Sequence, residues 1–252
     1  MDLWLIGIGT GNPDHVTAEG RRALQAADVV LVPRKGADKA DLADLRHAIL
    51  RDCGATARVC EFDMPVRDER LPYAERVEAW HDHIARVWAE ALAQAQPSGP
   101  VALLVWGDPG LYDSTLRIAA RLAPPPRLRV VPGITALQAL TAAHAIPFNT
   151  INGAVMVTTG RRLREEGWPL GVETVAVMLD GECSFQGLPP GDVQIWWGAY
   201  LGMAEQVLDS GPLAEAGPRI IATRAAARAQ HGWIMDTYLL RKVASQAVTP
   251  AG

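Results

Sequence analysis

The sequence predicts an α/β protein made of two α/β domains. In the first half, short apolar runs alternate with segments of helical periodicity, which favours a parallel sheet joined by right-handed crossover helices. Beyond residues 146–149 the apolar runs follow one another more closely, as expected for a second, more β-rich domain. The 252 residues, 49% of them hydrophobic, are enough for two cores. We therefore predict domains at residues 1–148 and 149–252.

Five strands and five helices are predicted in the first domain, one of the helices beginning after an Asp113 or Ser114 cap. Each strand is a short apolar run bounded by glycine, proline or charged residues, as expected for strands buried on both faces. The strands cover residues 4–8, 29–32, 59–62, 101–105 and 128–131. The helices run from a Thr17 cap to residue 27, from near Asp38 to Gly54, and over 73–96 and 137–144. In the second domain, strands are predicted at 154–159, 174–179, 193–197, 219–223 and 231–235.

Composition excludes several classes of function. The formal net charge of −4 gives no basic field that would collect nucleic acid. The three cysteines, Cys53, Cys60 and Cys183, are too few and too irregularly spaced for a disulfide framework or a zinc site, so no metal is expected. The sequence shows no secretory leader and no apolar stretch of the roughly 18 residues that a membrane helix needs. We therefore expect a cytoplasmic protein that does not bind membranes.

Three glycines mark the loop after the first predicted strand, residues 7–14. Gly7, Gly9 and Gly11 let the backbone approach a ligand closely. The spacing differs from the dinucleotide-binding pattern G-x-G-x-x-G, because the third glycine comes one residue early and Pro13 interrupts the start of the phosphate-binding helix. The acidic residue that would bind a ribose about 20 positions later is also missing from a strand end. By itself, this loop is as consistent with a structural turn as with a binding loop.

Two further loops follow the fourth and fifth predicted strands. Residues 106–115 include Gly107 and Asp108, whose carboxylate can accept from an amino or hydroxyl group. Residues 131–136 place Thr135 at the start of a helix. All three loops lie at the carboxyl ends of parallel strands, the edge where α/β sheets bind ligands. Because none is a Walker loop, a ligand with an adenosine and a charged amino acid but no phosphate fits them better than a nucleotide does.

Taken together, the loops resemble those of the tetrapyrrole methyltransferases, the family that includes uroporphyrinogen III methyltransferase and the precorrin methylases. The matching motifs are G-x-G-x-G-x-P after the first strand, G-D-P-x-x-Y after the fourth and P-G-x-[ST]-A after the fifth. The resemblance extends to residues 157–160 and 174–181, and so covers nearly the whole chain. Residues 6–17, 107–118 and 196–206 are similar to the members that methylate carbon 1 of precorrin-5 and release acetate.

This resemblance implies two α/β domains with S-adenosylmethionine in the cleft between them, and a homodimer. By position it implies the following cofactor contacts: Gly107, Asp108, Leu111, Tyr112, Thr135, Ala136, Met178 and Leu179. The first loop, with Gly9, Gly11 and Pro13, would contact the tetrapyrrole. Residues 179–181, Leu-Asp-Gly, depart from the Met-Gly of several relatives.

The chemistry of such a reaction indicates which side chains to look for. Methyl transfer needs alignment of donor and acceptor and the exclusion of water, whereas acetate release needs an activated water or a protonated leaving group. Candidates for the second task are Asp14, His15 and Tyr112. The carboxylates of a tetrapyrrole call for basic side chains, and the candidates are Arg34, Lys35 and Arg161. All of these are also consistent with solvated surface residues.

Three other functions remain open at this point. The first is another precorrin or uroporphyrinogen III methyltransferase that acts on a different ring carbon. The second is a dinucleotide-dependent oxidoreductase, which the misplaced glycine and the missing ribose acid argue against. The third is a corrinoid-binding protein without catalytic activity.

Overall fold

Two compact units make up the chain, the first from Met1 to Thr135 and the second from Ala136 onward. The computed structural model describes residues 1–34 and 40–243, with the backbone alone for residues 40–42. Within these residues each unit contains one five-stranded sheet. The expected α/β class is therefore confirmed, with helices and strands in both units.

The sheet of the first unit is parallel throughout and has the strand order β3-β2-β4-β1-β5. Its strands are β1 (Asp2–Gly7), β2 (Val29–Arg34), β3 (Arg58–Asp63), β4 (Val101–Val105) and β5 (Arg127–Val131). All five lie within about two residues of the predicted positions. The central strand β4 is buried along its whole length, because helices cover both faces of such a sheet and its sequence is a continuous apolar run.

Four α-helices accompany this sheet within the described part of the first unit. They are α1 (Ala18–Ala26), α2 (Ala40–Asp52), α3 (Tyr73–Ala95) and the short α4 (Thr115–Ala119). The predicted Thr17 cap is confirmed, since its hydroxyl oxygen accepts from the Gly20 N–H at 3.0 Å. Helix α3 packs against the sheet through a face that includes Ile84 and Trp88. The predicted cap Asp38 lies outside the described residues.

The sheet of the second unit is mixed and has the strand order β6-β7-β10-β8-β9. Its strands are β6 (Val155–Thr159), β7 (Thr174–Met178), β8 (Val193–Ala199), β9 (Val207–Pro212) and β10 (Asp236–Lys242). Strands β6 and β7 run parallel, whereas the pairs β7–β10, β10–β8 and β8–β9 run antiparallel. The helices of this unit are α5 (Ala136–Ala143), α6 (Gly160–Glu166) and α7 (Leu213–His231).

Two strands predicted in the second unit are wrong. Residues 219–223 lie in the middle of α7, where Ala216, Ile220 and Ala227 are buried at helical spacing. The short apolar pair at 220–221 is indistinguishable from a buried strand by sequence pattern alone. Of residues 231–235, His231 is the last residue of α7, and the rest connect α7 to β10, which begins at Asp236. The edge strand β9 was not predicted, because its Gly and Pro residues and its half-exposed side chains give little apolar signal.

Helix α5 belongs to the second unit rather than to the first. The predicted boundary is at residue 148, whereas the division observed lies between Thr135 and Ala136. The reason is packing: Ala139 and Leu140 of α5 form a cluster with Leu201 and Leu239 of the second unit. A search of the described residues finds no helix with the length and apolarity needed to span a membrane.

A buried ion pair ties α7 to β10 and β8. The Arg224 Nε donates to the Asp236 carboxylate at 2.8 Å, and the two side chains are only 11% and 8% exposed. The Trp197 Nε1–H donates to the same carboxylate at 2.9 Å. Since each charge here is compensated by the other, removal of one partner leaves an uncompensated charge in the core.

We expect Arg224→Ala to lower the free energy of unfolding by about 3–5 kcal/mol, because the Asp236 carboxylate stays buried without its cation. Urea denaturation followed by tryptophan fluorescence measures the change. Arg228→Ala, on an exposed position of the same helix, is the control and should change stability by no more than about 0.5 kcal/mol. Equal effects of the two substitutions would contradict the structural role of the pair.

Candidate functional site

The loops after β1 and β4 are joined by a short antiparallel bridge. The Gly107 N–H donates to the Gly9 carbonyl oxygen at 2.7 Å, and the Gly9 N–H donates to the Gly107 carbonyl oxygen at 3.3 Å. Both residues have positive φ angles, 73° and 66°, which glycine adopts without steric cost. Two loops that are almost 100 residues apart in the sequence thus face each other directly.

The loop after β5 lies against the same pair with no room for side chains. A Cβ atom added to Gly7 would lie 2.6 Å from the Gly133 nitrogen, and one added to Gly133 would lie 2.1 Å from the Gly107 carbonyl oxygen. Real Cβ contacts are essentially never shorter than 3.0 Å. The meeting of the three glycine loops, expected from the sequence, is therefore confirmed within the first unit.

Asp108 joins the second loop to the third through hydrogen bonds of its carboxylate. One carboxylate oxygen accepts from the Gly133 N–H at 2.9 Å, and the other accepts from the Gly110 N–H at 2.7 Å. The predicted role of Asp108 is that of a ligand acceptor. Its carboxylate already holds two backbone donors, although each oxygen keeps further acceptor capacity.

The remaining residues of the second and third loops lie close to this junction. The Leu111 N–H donates to the Asp108 carbonyl oxygen at 3.3 Å, and Tyr112 follows with a positive φ of 49° and a side chain that is 42% exposed. The Thr135 Cα lies 3.9 Å from the position of a Cβ on Gly107. Ala136 is the first residue of α5.

The first loop ends in a short 3₁₀ turn, Pro13–His15. The Asn12 side chain accepts from the Asp14 N–H at 2.9 Å and caps this turn, while Asp14 itself is exposed. The Pro13 carbonyl oxygen accepts from the Arg21 guanidinium at 2.8 Å. The turn is therefore anchored on α1, and its Asp14 side chain points away from the core.

His15 is held by a buried threonine, Thr10, which was not among the predicted site residues. The Thr10 Oγ1 lies 3.0 Å from the His15 Nδ1, and Thr10 is only 4% exposed. Gly9 packs so closely on this histidine that an added Cβ would lie 2.3 Å from the His15 Cβ. Burial lowers the pKa of His15 below 6.5, and the Asp14 charge only partly opposes this. The imidazole is therefore neutral at neutral pH.

The three loops carry negative but no positive formal charge. Residues 7–14, 106–114 and 132–135 contain three aspartates and neither lysine nor arginine. Guanidinium groups approach the loops from neighbouring helices: Arg21 and Arg117 donate to the carbonyl oxygens of Pro13 and Asp113, each at 2.8 Å. Arg46 approaches from α2, where burial lowers its pKa to about 10 and the Asp113 carboxylate opposes that shift. A site of this composition suits a ligand group of positive charge better than a phosphate.

Two of the predicted substrate-binding cations, Arg34 and Arg161, lie among the described residues and outside the three loops. Arg34, the last residue of β2, forms ion pairs with Asp63 at 3.1 Å and with Glu61 at 3.4 Å. Lys35 lies outside the described residues. Arg161 is exposed on α6 in the second unit. Arg34 must therefore exchange protein carboxylates for substrate carboxylates if it binds a tetrapyrrole.

Met178 and Leu179 lie where β7 of the second unit ends. Met178 is the final residue of the strand and is half-buried, while Leu179 is 67% exposed and has a positive φ of 54°. The neighbouring strand β6 runs parallel and ends opposite, with Thr159 paired to Met178. Two parallel strands thus end side by side, as in the first unit.

Asp180 is the centre of a polar cluster behind these two residues. Its carboxylate accepts from the Tyr238 hydroxyl at 2.6 Å, from the Ser184 N–H at 2.6 Å and from the Glu182 N–H at 3.0 Å. Burial works against ionisation, but the hydrogen bonds from Tyr238, Glu182 and Ser184 outweigh it and hold the pKa of Asp180 below 3.8. Asp180 is therefore a buried carboxylate.

Three residues of this geometry were not identified as site residues from the sequence: Thr10, Arg46 and Asp180. A threonine between two glycines, at the end of a buried strand, was an available signal for Thr10. Arg46 carried no signal, since only folding brings α2 to the second loop. No group of three His, Cys, Asp or Glu side chains suited to a metal ion occurs in residues 1–34 and 40–243.

Comparison with known proteins gives a consistent result. The family model of Tetrapyrrole (Corrin/Porphyrin) Methylases matches residues 2–217. A precorrin-6A synthase (deacetylating) from Sinorhizobium sp is 47% identical over 95% of this chain and 95% of its own. A cobalt-precorrin-2 C(20)-methyltransferase from Salmonella typhimurium is 29% identical over 58% of this chain and 57% of its own.

Solved structures show the same fold. A cobalamin synthesis related protein (CobF) from Corynebacterium diphtheriae aligns with a TM-score of 0.80 and 37% identity over 96% of this chain and 99% of its own. A uroporphyrin-III C-methyl transferase from Thermus thermophilus, complexed with S-adenosyl homocysteine, aligns with a TM-score of 0.60 and 16% identity over 96% of this chain and 92% of its own.

Gly133→Ala should lower the free energy of unfolding by about 1–3 kcal/mol, because its methyl group must push the Gly107 carbonyl away from the third loop. Thermal and urea denaturation measure the change. The control is Gly191→Ala, whose methyl group would meet no heavy atom within 4 Å. A Gly133→Ala protein as stable as the control would show that the loops are not in close contact.

Asp180 should make stability depend on pH. Because its folded-state pKa lies below its ordinary value of 3.8, its contribution is fully present above that pH and is lost as the pH falls through the folded-state pKa. Asp180→Asn should therefore lower the free energy of unfolding near neutral pH by about 1.5–3 kcal/mol, and the difference should shrink below pH 3.8. Urea denaturation across pH measures both, with exposed Asp44→Asn as control. A difference that is constant with pH would contradict the prediction.

Proposed function

The chain belongs to the tetrapyrrole (corrin/porphyrin) methylases, and from this we propose that it methylates precorrin-5 at carbon 1 with S-adenosylmethionine and releases acetate. The product would be precorrin-6A, an intermediate of cobalamin biosynthesis. The observation that carries the proposal is the 47% identity, over 95% of both chains, to a deacetylating precorrin-6A synthase. The relative that acts on carbon 20 of another precorrin is similar over only 58% of this chain.

The three-loop junction of the first unit fits the cofactor. Because glycine has no side chain, the backbone of these loops can approach a ligand closely. Gly7 and Gly133 already allow the loops to approach one another in this way. The aspartates and the lack of basic residues in these loops favour a sulfonium and an ammonium group over a phosphate. Bound S-adenosylmethionine supplies an electrophilic methyl group.

The chain's own residues would bind and orient this donor. We propose backbone contacts from Gly107 and Leu111, with Asp108 accepting a further hydrogen bond while it fixes the third loop. Tyr112 and Thr135 would complete the first unit's contacts, and the second unit would contribute Ala136, Met178 and Leu179. These contacts are assigned by position in the family motifs, and the junction of the loops supports those of the first unit.

Tetrapyrrole binding is proposed for the first loop and for basic side chains. Gly9, Gly11 and Pro13 would contact the ring, as their positions in the family motif imply. Hydrogen bonds of Asn12 and Arg21 hold the Pro13–His15 turn in place for this contact. Arg34, Lys35 and Arg161 would pair with the carboxylates of the substrate.

His15 is the group best suited to promote deacetylation, with Asp14 and Tyr112 as secondary candidates. The reaction adds water to the acetyl carbonyl, breaks the bond between that carbon and the ring, and returns the electron pair to the macrocycle. A base must remove a proton from the water. When the His15 Nδ1–H donates to the Thr10 oxygen, the Nε2 is free of its proton and can act as this base.

Assembly and location are also proposals. The low net charge and the small-molecule substrate favour a cytoplasmic protein that binds neither nucleic acid nor membrane, and the family resemblance favours a homodimer. Light scattering coupled to size-exclusion chromatography distinguishes a dimer from a monomer.

Incubation of the protein with precorrin-5 and S-adenosylmethionine tests the proposed reaction. We expect equal amounts of S-adenosylhomocysteine and acetate, and a product that has lost an acetyl group and gained a methyl group. A product that gains a methyl group without acetate release would indicate methylation of a different ring carbon. Absence of any S-adenosylhomocysteine would contradict the proposed function.

His15→Gln should slow acetate release by about 10²–10⁴-fold, because glutamine cannot accept the proton of water. The wild-type rate should fall in acid with a midpoint below 6.5, since protonation of His15 removes the base. Binding of S-adenosylhomocysteine, measured by calorimetry, should be unchanged and serves as the control. An unaltered pH profile in His15→Gln would exclude this histidine as the base.

A further inference from the structure

The conformation of Leu179 needs an explanation that core packing does not give. Its side chain is 67% exposed, directly after a strand whose first four residues are buried. Its φ angle of 54° is in the left-handed region, which is unfavourable for a branched side chain. An exposed apolar residue in a strained conformation contributes nothing to the core, and such residues persist only where their surroundings hold them in place.

Asp180 supplies the surroundings that hold Leu179. Besides the three donors described above, its carboxylate accepts from the Ser184 hydroxyl at 2.9 Å. Its carbonyl oxygen accepts from the Arg224 guanidinium at 3.1 Å, and Arg224 is itself fixed by Asp236. The residue after Leu179 is thus fixed through both its side chain and its backbone.

Gly160 packs directly against the Asp180 carboxylate. A Cβ added to this glycine would lie 2.3 Å from the Asp180 carboxyl carbon. Tyr238 approaches from β10, and its ring packs edge-on against Phe185 with centroids 5.2 Å apart. Burial, together with the Asp180 charge, raises the pKa of Tyr238 well above 10, so its hydroxyl remains a donor. The cluster has little freedom to rearrange.

We propose that Asp180, held by the Tyr238 hydroxyl, is a positioning residue that presents Met178 and Leu179 to the methyl donor. This inference rests on the proposed function, because those two residues are assigned to the cofactor by family position. It adds the physical reason for the Leu-Asp-Gly sequence at 179–181: the aspartate fixes a backbone conformation that leucine would otherwise avoid.

Tyr238→Phe tests this role, and Tyr200→Phe is a matched control. Both tyrosines are 1% exposed in the second unit, and both hydroxyls donate hydrogen bonds, but Tyr200 donates to the carbonyl oxygens of Trp233 and Ala227. We expect Tyr238→Phe to raise the dissociation constant for S-adenosylhomocysteine about 10-fold, since it removes one hydrogen bond to a charged group. Tyr200→Phe should lower the melting temperature comparably and leave binding unchanged. Equal effects of Tyr238→Phe and Tyr200→Phe on binding would show that Asp180 has only a structural role, and would overturn the inference.

Amide hydrogen exchange tests the geometry without any ligand. Residues 179–184 should exchange faster in Tyr238→Phe than in the wild type, and at the wild-type rate in Tyr200→Phe. Unchanged exchange in Tyr238→Phe would overturn the inference. Failure of the wild-type protein to bind S-adenosylhomocysteine would contradict the proposed function. Faster exchange of residues 179–184 in Tyr238→Phe would still support the fixed conformation of Leu179.

Leu179→Ala provides a second variant that does not disturb the core. Because the leucine side chain is mostly exposed, the melting temperature should stay at the wild-type value. We expect weaker binding of S-adenosylhomocysteine by calorimetry, since the presented side chain is lost. Binding at wild-type strength would show that the positioned residue does not contact the cofactor, and would overturn the inference.

Discussion

The close packing of three backbone segments is the constraint on which the site of the first unit depends. Gly7, Gly107 and Gly133 approach one another to distances that exclude any side chain at Gly7 and Gly133. Asp108 then joins two of the segments through backbone N–H groups. Because these groups belong to the ends of three adjacent parallel strands, β4, β1 and β5, the sheet order itself brings the loops together.

The second unit uses the same combination of an aspartate and a tightly packed glycine. Asp180 accepts from backbone N–H groups after β7, and Gly160, after the adjacent strand β6, leaves it space. In each unit a buried strand is followed by a loop whose backbone is fixed by a carboxylate. A buried polar cluster destabilises the fold when some of its hydrogen bonds are missing, and it is rigid when all of them are formed. Such rigidity suits a loop that must present backbone and side-chain atoms in one arrangement.

The sequence was informative where local pattern and tertiary packing agree. Apolar runs such as that of β4 and the cap of α1 were predicted because burial on both faces and a free helix N-terminus leave clear local signals. The strand predicted at residues 219–223 was wrong, because a short apolar pair fits a strand and a helix equally well. The family motifs marked Gly107 and Asp108, but the hydrogen bonds of Asp108 to the third loop and of Asp180 to Tyr238 join residues that only the fold brings together.

Two roles can be distinguished among the residues of the site: positioning of the methyl donor and proton transfer. The loops of the first unit hold position through backbone and carboxylate groups, and both oxygens of Asp108 accept from backbone N–H groups of these loops. His15 is different, because burial keeps its imidazole neutral and Thr10 engages only one ring nitrogen. A methyl transfer that needs alignment alone can rely on the rigid loops, whereas the loss of an acyl group needs a titratable side chain. In the proposed mechanism, His15 lies at the edge of the first loop and supplies the titratable group, while the loops that align the methyl donor stay unchanged.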